Sequence, residues 1–240
     1  MIRLIWTDIR RVLLKTGFYI LPALLFLITV TVLKKGNRGF EDIYTDNQFT
    51  YRFVAAYIAA IPVFMAVYAD ELKSGAWVVA IGRGMSRRKI VVSKFLDGVI
   101  LTVFMYVFFF ALDLITMAYY MVTPTPLQME RAILLNLSYC LKNISYMGFA
   151  SIFVYITWSA SVGMIVEVIM ISFTEMALGW VQDQLRIPLL DISMIGQIDQ
   201  AFANYAAGKN WIVPAIAVIA YIVAFILISM EVFNRKELEL

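Results

Sequence analysis

Hydrophobic residues in this 240-residue chain form long uncharged or nearly uncharged runs, separated by short stretches that carry most of the charge. A helix that spans a bilayer needs about 20 mostly apolar residues. Six segments fit this pattern: residues 16–33, 53–69, 95–122, 132–158, 161–180 and 211–230. The pattern predicts an all-α membrane protein with six transmembrane helices, in one transmembrane domain that covers residues 1–240.

The first 15 residues have a different periodicity. Apolar residues form one stripe of a helix, and basic and polar residues occupy the rest of its circumference. The stripe consists of Ile2, Ile5, Trp6, Ile9, Val12 and Leu13. Such a helix is typical of a segment that lies in the membrane interface, with its basic side towards lipid phosphates. A cytoplasmic extension of the first span is the alternative.

Residues 181–210 contain two apolar runs, 187–190 and 192–198, which are too short to span. They predict short helices on the outer side before the last span. Residues 143–166 form one uncharged run, so the boundary between the fourth and fifth spans has only a weak signal. We place it near Ser159–Gly163, where small residues favour a turn.

The basic residues indicate the orientation, because cytoplasmic loops carry an excess of Lys and Arg. Twelve basic residues lie on the side of the N-terminus and seven on the other side. The bias predicts a multi-pass protein of the cell membrane with both termini in the cytoplasm. Residues 70–94 then form the longest cytoplasmic segment, and residues 34–52 are external.

Composition limits the kinds of chemistry that the side chains of this protein can perform. The chain is 62% hydrophobic and 15% charged, with no histidine and the single cysteine Cys140. This excludes an intrachain disulfide, a cysteine metal cluster and histidine-based catalysis. No glycine-rich phosphate-binding loop precedes a Lys-Ser or Lys-Thr pair. We therefore expect no catalytic residue, metal site or cofactor on this chain, and no nucleic-acid partner.

Four ionisable residues stand out inside the predicted spans: Asp113, Lys142, Glu167 and Glu175. Each costs about 2.5–3.5 kcal/mol on insertion scales, so such residues usually mark function. Asp113 and Lys142 lie at matching depths of roughly 14 Å on consecutive spans, which predicts an ion pair between them. Glu167 and Glu175 lie about 80° apart on one helix and can face one cavity, either as a proton pathway or towards a cationic substrate.

The segment between the second and third spans has a recognisable pattern. It begins Asp70, Glu71, Leu72, Lys73, Ser74 and Gly75, and continues with Ser86, Arg87 and Lys94. It resembles the cytoplasmic loop of ABC-2 type permeases, in which an acid at the inner end of the second helix begins a Glu-x-x-x-Gly-Thr pattern. A Pro-x-Ser-Arg…Lys stretch then leads into the third helix. Gly84 and Ala76 depart from this pattern.

The resemblance implies the membrane-spanning permease subunit of an ATP-driven exporter. ATP and Mg²⁺ would bind a separate ABC ATPase subunit, which docks on residues 70–94. A second permease subunit, expected to be identical, would complete the pore, and membrane lipid would surround it. The small size is similar to that of permeases that export peptides, antibiotics or lipid-like amphipathic molecules.

Two other classes remain open. In a proton-coupled secondary transporter, Glu167 and Glu175 would carry protons and no ATPase would exist. Internal inverted repeats would favour that class, and the sequence shows none. The third class is a membrane immunity or assembly protein that transports nothing.

Overall fold

The computed structural model describes residues 2–32 and 38–235. Within these ranges the chain is all-α, as predicted: 88% is helical and there is no strand. The twelve helices of the described ranges are α1 Ile2–Leu13, α2 Thr16–Val32, α3 Phe40–Thr50, α4 Ala56–Phe64, α5 Asp70–Ser74, α6 Ala76–Gly82, α7 Arg87–Tyr119, α8 Pro126–Thr157, α9 Ala160–Leu185, α10 Leu189–Ile192, α11 Met194–Ala206 and α12 Ile212–Arg235.

Helices α3, α4 and α5 form one continuous helical stretch, Phe40–Ser74, of 35 residues. Two π-helical turns, Tyr51–Ala55 and Met65–Ala69, join its parts on either side of Pro62. At 1.5 Å per residue the stretch is roughly 52 Å long, against about 30 Å for the hydrocarbon core of a bilayer. Much of the segment that the sequence predicted as an external loop is therefore a helical extension of the second span.

Among the described residues, four helices are long and apolar enough to cross a membrane: Phe40–Ser74, Arg87–Tyr119, Ala160–Leu185 and Ile212–Arg235. This is compatible with a membrane protein and is two fewer than the sequence predicted. Helix α2 has only 17 residues, whereas α8 has 32 but contains more polar side chains. Many of the polar residues of α8 are buried inside the protein, because α8 packs against α7, α9, α11 and α12.

The main core lies where α4, α7 and α8 meet. Its largest fully buried side chains include Phe64, Tyr68, Met105 and Tyr155. Helices α9 and α12, by contrast, expose rows of large apolar side chains. Those rows are Ile165, Ile169, Phe173 and Met176 on α9, and Ile212, Ile216, Ile219 and Val223 on α12. Such faces suit contact with lipid or with another membrane helix.

The connection between α8 and α9 is a tight turn of two residues. Trp158 adopts the left-handed conformation, and the Ser159 hydroxyl accepts a hydrogen bond from the backbone N–H of Val162. Helix α9 thus starts at Ala160, and the two helices pack closely against each other. The turn lies at the start of the small residues that the sequence suggested as the break.

Candidate functional site

Glu71 is a buried acid on α5, near the end of the Phe40–Ser74 stretch. Helix α5 ends at Gly75, whose φ of +63° turns the chain sharply into α6. Glycine suits this position because it adopts positive φ without a steric penalty. The turn brings Trp77 back onto α5, where its indole N–H donates a 2.6 Å hydrogen bond to Glu71 Oε2. Glu71 is only 5% exposed.

Lys94 reaches the same point from the second turn of α7. Its Nζ atom donates to Glu71 Oε1 at 2.5 Å, to Asp8 Oδ2 at 2.6 Å and to Asp97 Oδ2 at 3.1 Å. A lysine ammonium has three N–H donors, and here each of them binds one carboxylate. Lys94 is 2% exposed, and the three acids come from α1, α5 and α7.

Arg11 completes the group from α1. Its guanidinium donates to Glu71 Oε1 at 2.9 Å and lies 3.6 Å from Asp8 Oδ1. We call Asp8, Arg11, Glu71, Lys94 and Asp97 the inner ion cluster. It holds three carboxyl groups and two cations. Removing one partner from a buried ion network costs about 3–5 kcal/mol, so the cluster fixes the relative positions of α1, α5 and α7.

Trp77 anchors α6 in the same region. Its ring packs against Tyr155 at 5.5 Å, and against Trp158 and Phe233 at 5.7 Å, between ring centroids. Helix α6 thereby contacts the end of α8 and the end of α12. Gly75 divides residues 70–82 into two short helices, α5 and α6, and both are tied to the bundle.

Arg87 links the start of α7 to the end of α12. Its guanidinium donates to the carbonyls of Phe233 and Asn234 at 2.9 and 3.0 Å, and it lies over the Phe233 ring. A cation is favourable at a helix C-terminus, where unpaired carbonyls carry partial negative charge. Arg87 therefore holds two distant parts of the chain together at this face.

The other predicted coupling residues surround these contacts. Asp70 pairs with Lys15 in an exposed ion pair. Leu72 packs against the main core, and Lys73 is exposed. Ser74 and Ser86 are exposed. Within residues 70–87, some side chains thus face the protein interior, and others are exposed and can contact a partner.

Lys142 forms a second charged group, near the other end of the bundle. Its Nζ lies 2.8 Å from Glu175 Oε1 and 2.9 Å from Asp199 Oδ1, and Arg52 lies 3.2 Å from Glu175 Oε2. We call these four residues the outer ion cluster. The predicted Asp113–Lys142 ion pair is wrong, because Lys142 points towards α9 and α11.

Asp113 has a neutral partner instead. It accepts a 2.5 Å hydrogen bond from the Tyr51 hydroxyl, which itself accepts one of 2.8 Å from the Asn136 amide. The carboxyl group lines a cavity of about 150 Å³ between α3 and α7. The depth argument did not specify how each helix is rotated about its axis, and this rotation decides the partners of Asp113 and Lys142.

Glu167 does not line the cavity that Glu175 lines. This cavity has a volume of about 230 Å³ and is also lined by Arg52, Lys142 and Tyr57. Glu167 is 2% exposed, and its Oε2 atom has no hydrogen-bond partner. The two acids therefore have different environments.

Asp8, Arg11, Trp77 and Asp97 were not predicted as site residues. Asp97 lies inside the predicted third span, one helical turn after Lys94, and this spacing was an available signal. Asp8 and Arg11 are likewise one turn apart on α1. Trp77 gave no signal, because an indole near a membrane surface is common.

No protein-family model matches this chain, and no curated protein or solved structure is significantly similar to it.

Proposed function

We propose that this chain is the permease subunit of an ATP-driven ABC exporter of the ABC-2 type. In this proposal a pair of permease subunits binds two ATPase subunits on the cytoplasmic side. Six spans cross the membrane: α2, the Phe40–Ser74 stretch, α7, α8, α9 and α12. Both termini are cytoplasmic, and the substrates are amphipathic peptides, antibiotics or lipid-like molecules.

The inner ion cluster supports this proposal most strongly. A motor protein that pushes on α5 and α6 needs rigid contacts from those helices to the spans. Glu71 provides contacts to α1 through Arg11 and to α7 through Lys94. Trp77 provides contacts to α8 and α12. Displacement of this one short segment therefore acts on four helices at once.

The exposed side of the segment suits a docking partner. Lys73, Arg83 and Arg88 carry basic groups there, while the acids Glu71 and Asp97 are buried. The surface presented is basic, which suits both lipid phosphates and an acidic surface on an ATPase.

The properties of α2 and α8 support two further spans. Helix α2 is almost as long as a minimal span and carries no charge. Helix α8 is central, so its polar residues face protein and need not be apolar. Six spans also place both termini on one side, as the distribution of basic residues requires.

Co-purification tests the partnership. The full chain, tagged and expressed with a P-loop ATPase encoded by a neighbouring gene, is expected to retain that ATPase through detergent extraction and affinity purification. Reversing the basic surface, with Arg88→Glu and Lys89→Glu together, is expected to release it. Isolation of this chain without the ATPase in every mild detergent tried would contradict the proposal.

A proton-coupled secondary transporter is the second candidate, and buried Glu167 favours it. In liposomes that contain this chain alone, such a transporter would move its substrate when a pH gradient is imposed. The exporter proposal predicts no substrate movement without the ATPase and ATP.

A further inference from the structure

Four buried polar atoms without hydrogen-bond partners lie near one another in the core. They are the hydroxyls of Tyr68 and Tyr155, Oδ1 of Asp97 and Oε2 of Glu167. Two are donors and two are acceptors, or donors when protonated. In folded proteins nearly all buried polar groups find partners, so this group calls for a physical explanation.

Tyr68 connects the other three. It lies on the π-helical turn Met65–Ala69 and is fully buried. Its hydroxyl is beside those of Ser151 and Tyr155, and within electrostatic range of both Glu167 and Asp97. Tyr68 is thus close enough to interact both with Asp97 of the inner ion cluster and with Glu167 on α9.

Water is the natural partner of such polar groups. Buried water molecules typically make about three hydrogen bonds to polar groups that would otherwise be unsatisfied. The unpaired hydroxyls and carboxyl oxygens of this group are partners of this kind. An apolar ligand would leave all of them unsatisfied.

Glu167 itself lacks a cation. None of the ion pairs among the described residues includes it, although Glu175 on the same helix contacts both Lys142 and Arg52. Tyr68 on the π-helical turn and Tyr106 on α7 are close enough to Glu167 to interact with its charge. On the α4 side, Phe64 packs against Gly163, one turn earlier on α9. An ionised carboxylate in this setting is costly, whereas a neutral carboxyl group is not.

We propose that Glu167 is a proton-binding site inside the subunit, reached from the inner ion cluster through water held between Asp97, Tyr68 and Tyr155. The bound proton is carried by a carboxyl oxygen of Glu167 and leaves by the same hydroxyls and waters. Lys94 binds both Asp97 and Glu71 of α5. A displacement of α5 therefore alters the entrance to the path. This site requires neither an ATPase nor a substrate, so it is independent of the exporter proposal.

Infrared spectroscopy of the purified full chain in lipid nanodiscs tests the proton. At neutral pH the wild type is expected to show the C=O stretch of a protonated carboxyl group, and Glu167→Gln is expected to remove that band. Glu175→Gln, on the same helix but in the outer ion cluster, is expected to leave it intact. Carboxyl absorption in Glu167→Gln equal to that of wild type, or a wild type with no such band at neutral pH, overturns the proposal.

Hydrogen–deuterium exchange of the same band tests the path. After transfer to D₂O, Tyr68→Phe is expected to slow the isotopic shift of the Glu167 band several-fold. Tyr146→Phe removes a buried hydroxyl near Glu175 and Asp199 instead, and is expected to match wild type. Equal exchange rates in Tyr68→Phe and wild type would show that protons reach Glu167 another way.

Discussion

Single residues of the inner ion cluster determine how α5 and α6 are attached to the long helices. Lys94 satisfies three carboxylates, and Glu71 joins Lys94, Arg11 and Trp77. Neither Lys94 nor Glu71 is exposed enough to bind a partner directly. Both residues therefore hold helices together, and in the proposed exporter their exposed neighbours would contact the ATPase.

Lys94→Met is expected to destabilise the protein by about 3–5 kcal/mol, because it leaves the three acids of the inner ion cluster with only Arg11 as a cation. Thermal or denaturant unfolding in detergent measures the loss. Lys73→Met, an exposed lysine in the same segment, is the matched control and should change stability by less than about 0.5 kcal/mol. Equal effects of the two variants would mean that the inner ion cluster does not form.

Residue-level prediction from the sequence succeeded in part. The cost of a buried charge correctly identified Lys142 and Glu167 as residues that the bundle buries. Partners were harder to predict, because pairing depends on the rotation of each helix, which a span pattern does not specify. Asp113 illustrates this, since its partner is the Tyr51 hydroxyl at the start of a π-helical turn, a feature without a sequence signature.

Elements pack closely where side chains are smallest. On α9, a Cβ atom added to Gly163 would collide with Val154 of α8 and would lie 2.6 Å from Phe64 of α4. Glycine thus permits close approach of three helices, as small residues do in membrane bundles. This is also the region where α9 presents Glu167 to the core, one turn further along.

Gly163→Ala is expected to destabilise the protein by about 1–3 kcal/mol, the usual cost of overpacking a tight core. Gly179→Ala on the same helix is the control, because nothing lies within 4 Å of its added Cβ. It should be neutral or slightly stabilising, since alanine favours helix. Thermal unfolding compares the two, and a neutral Gly163→Ala would argue against this packing of α9.

At the scale of the whole molecule, hydrophobic runs predicted the all-α architecture and most helix positions. The helical extension Phe40–Thr50 was missed, because its polar composition resembles a loop. Helix α8 shows a different difficulty. Its buried polar residues make it less apolar than α7 or α12, so it is not among the four helices whose composition suits a span, although it lies at the centre of the bundle.

Cysteine labelling tests the proposed topology in intact cells. In a Cys140→Ser background, the exposed position Gln48 is replaced by cysteine in one variant and Arg88 in another. An impermeant maleimide should label Gln48→Cys from outside, and Arg88→Cys only after permeabilisation. Labelling of Arg88→Cys in sealed cells would mean that the orientation is the reverse of the proposed one and that the docking surface is not cytoplasmic.

ATP hydrolysis by the reconstituted complex tests the central claim most directly. In liposomes, the complex of this chain with its ATPase is expected to hydrolyse ATP faster than the ATPase alone. Glu71→Gln should abolish most of this stimulation while the complex still forms. Asp70→Asn, the adjacent acid with only an exposed ion pair, should retain it. Unstimulated hydrolysis in the wild-type complex, or equal stimulation in Glu71→Gln and wild type, would contradict coupling through the inner ion cluster.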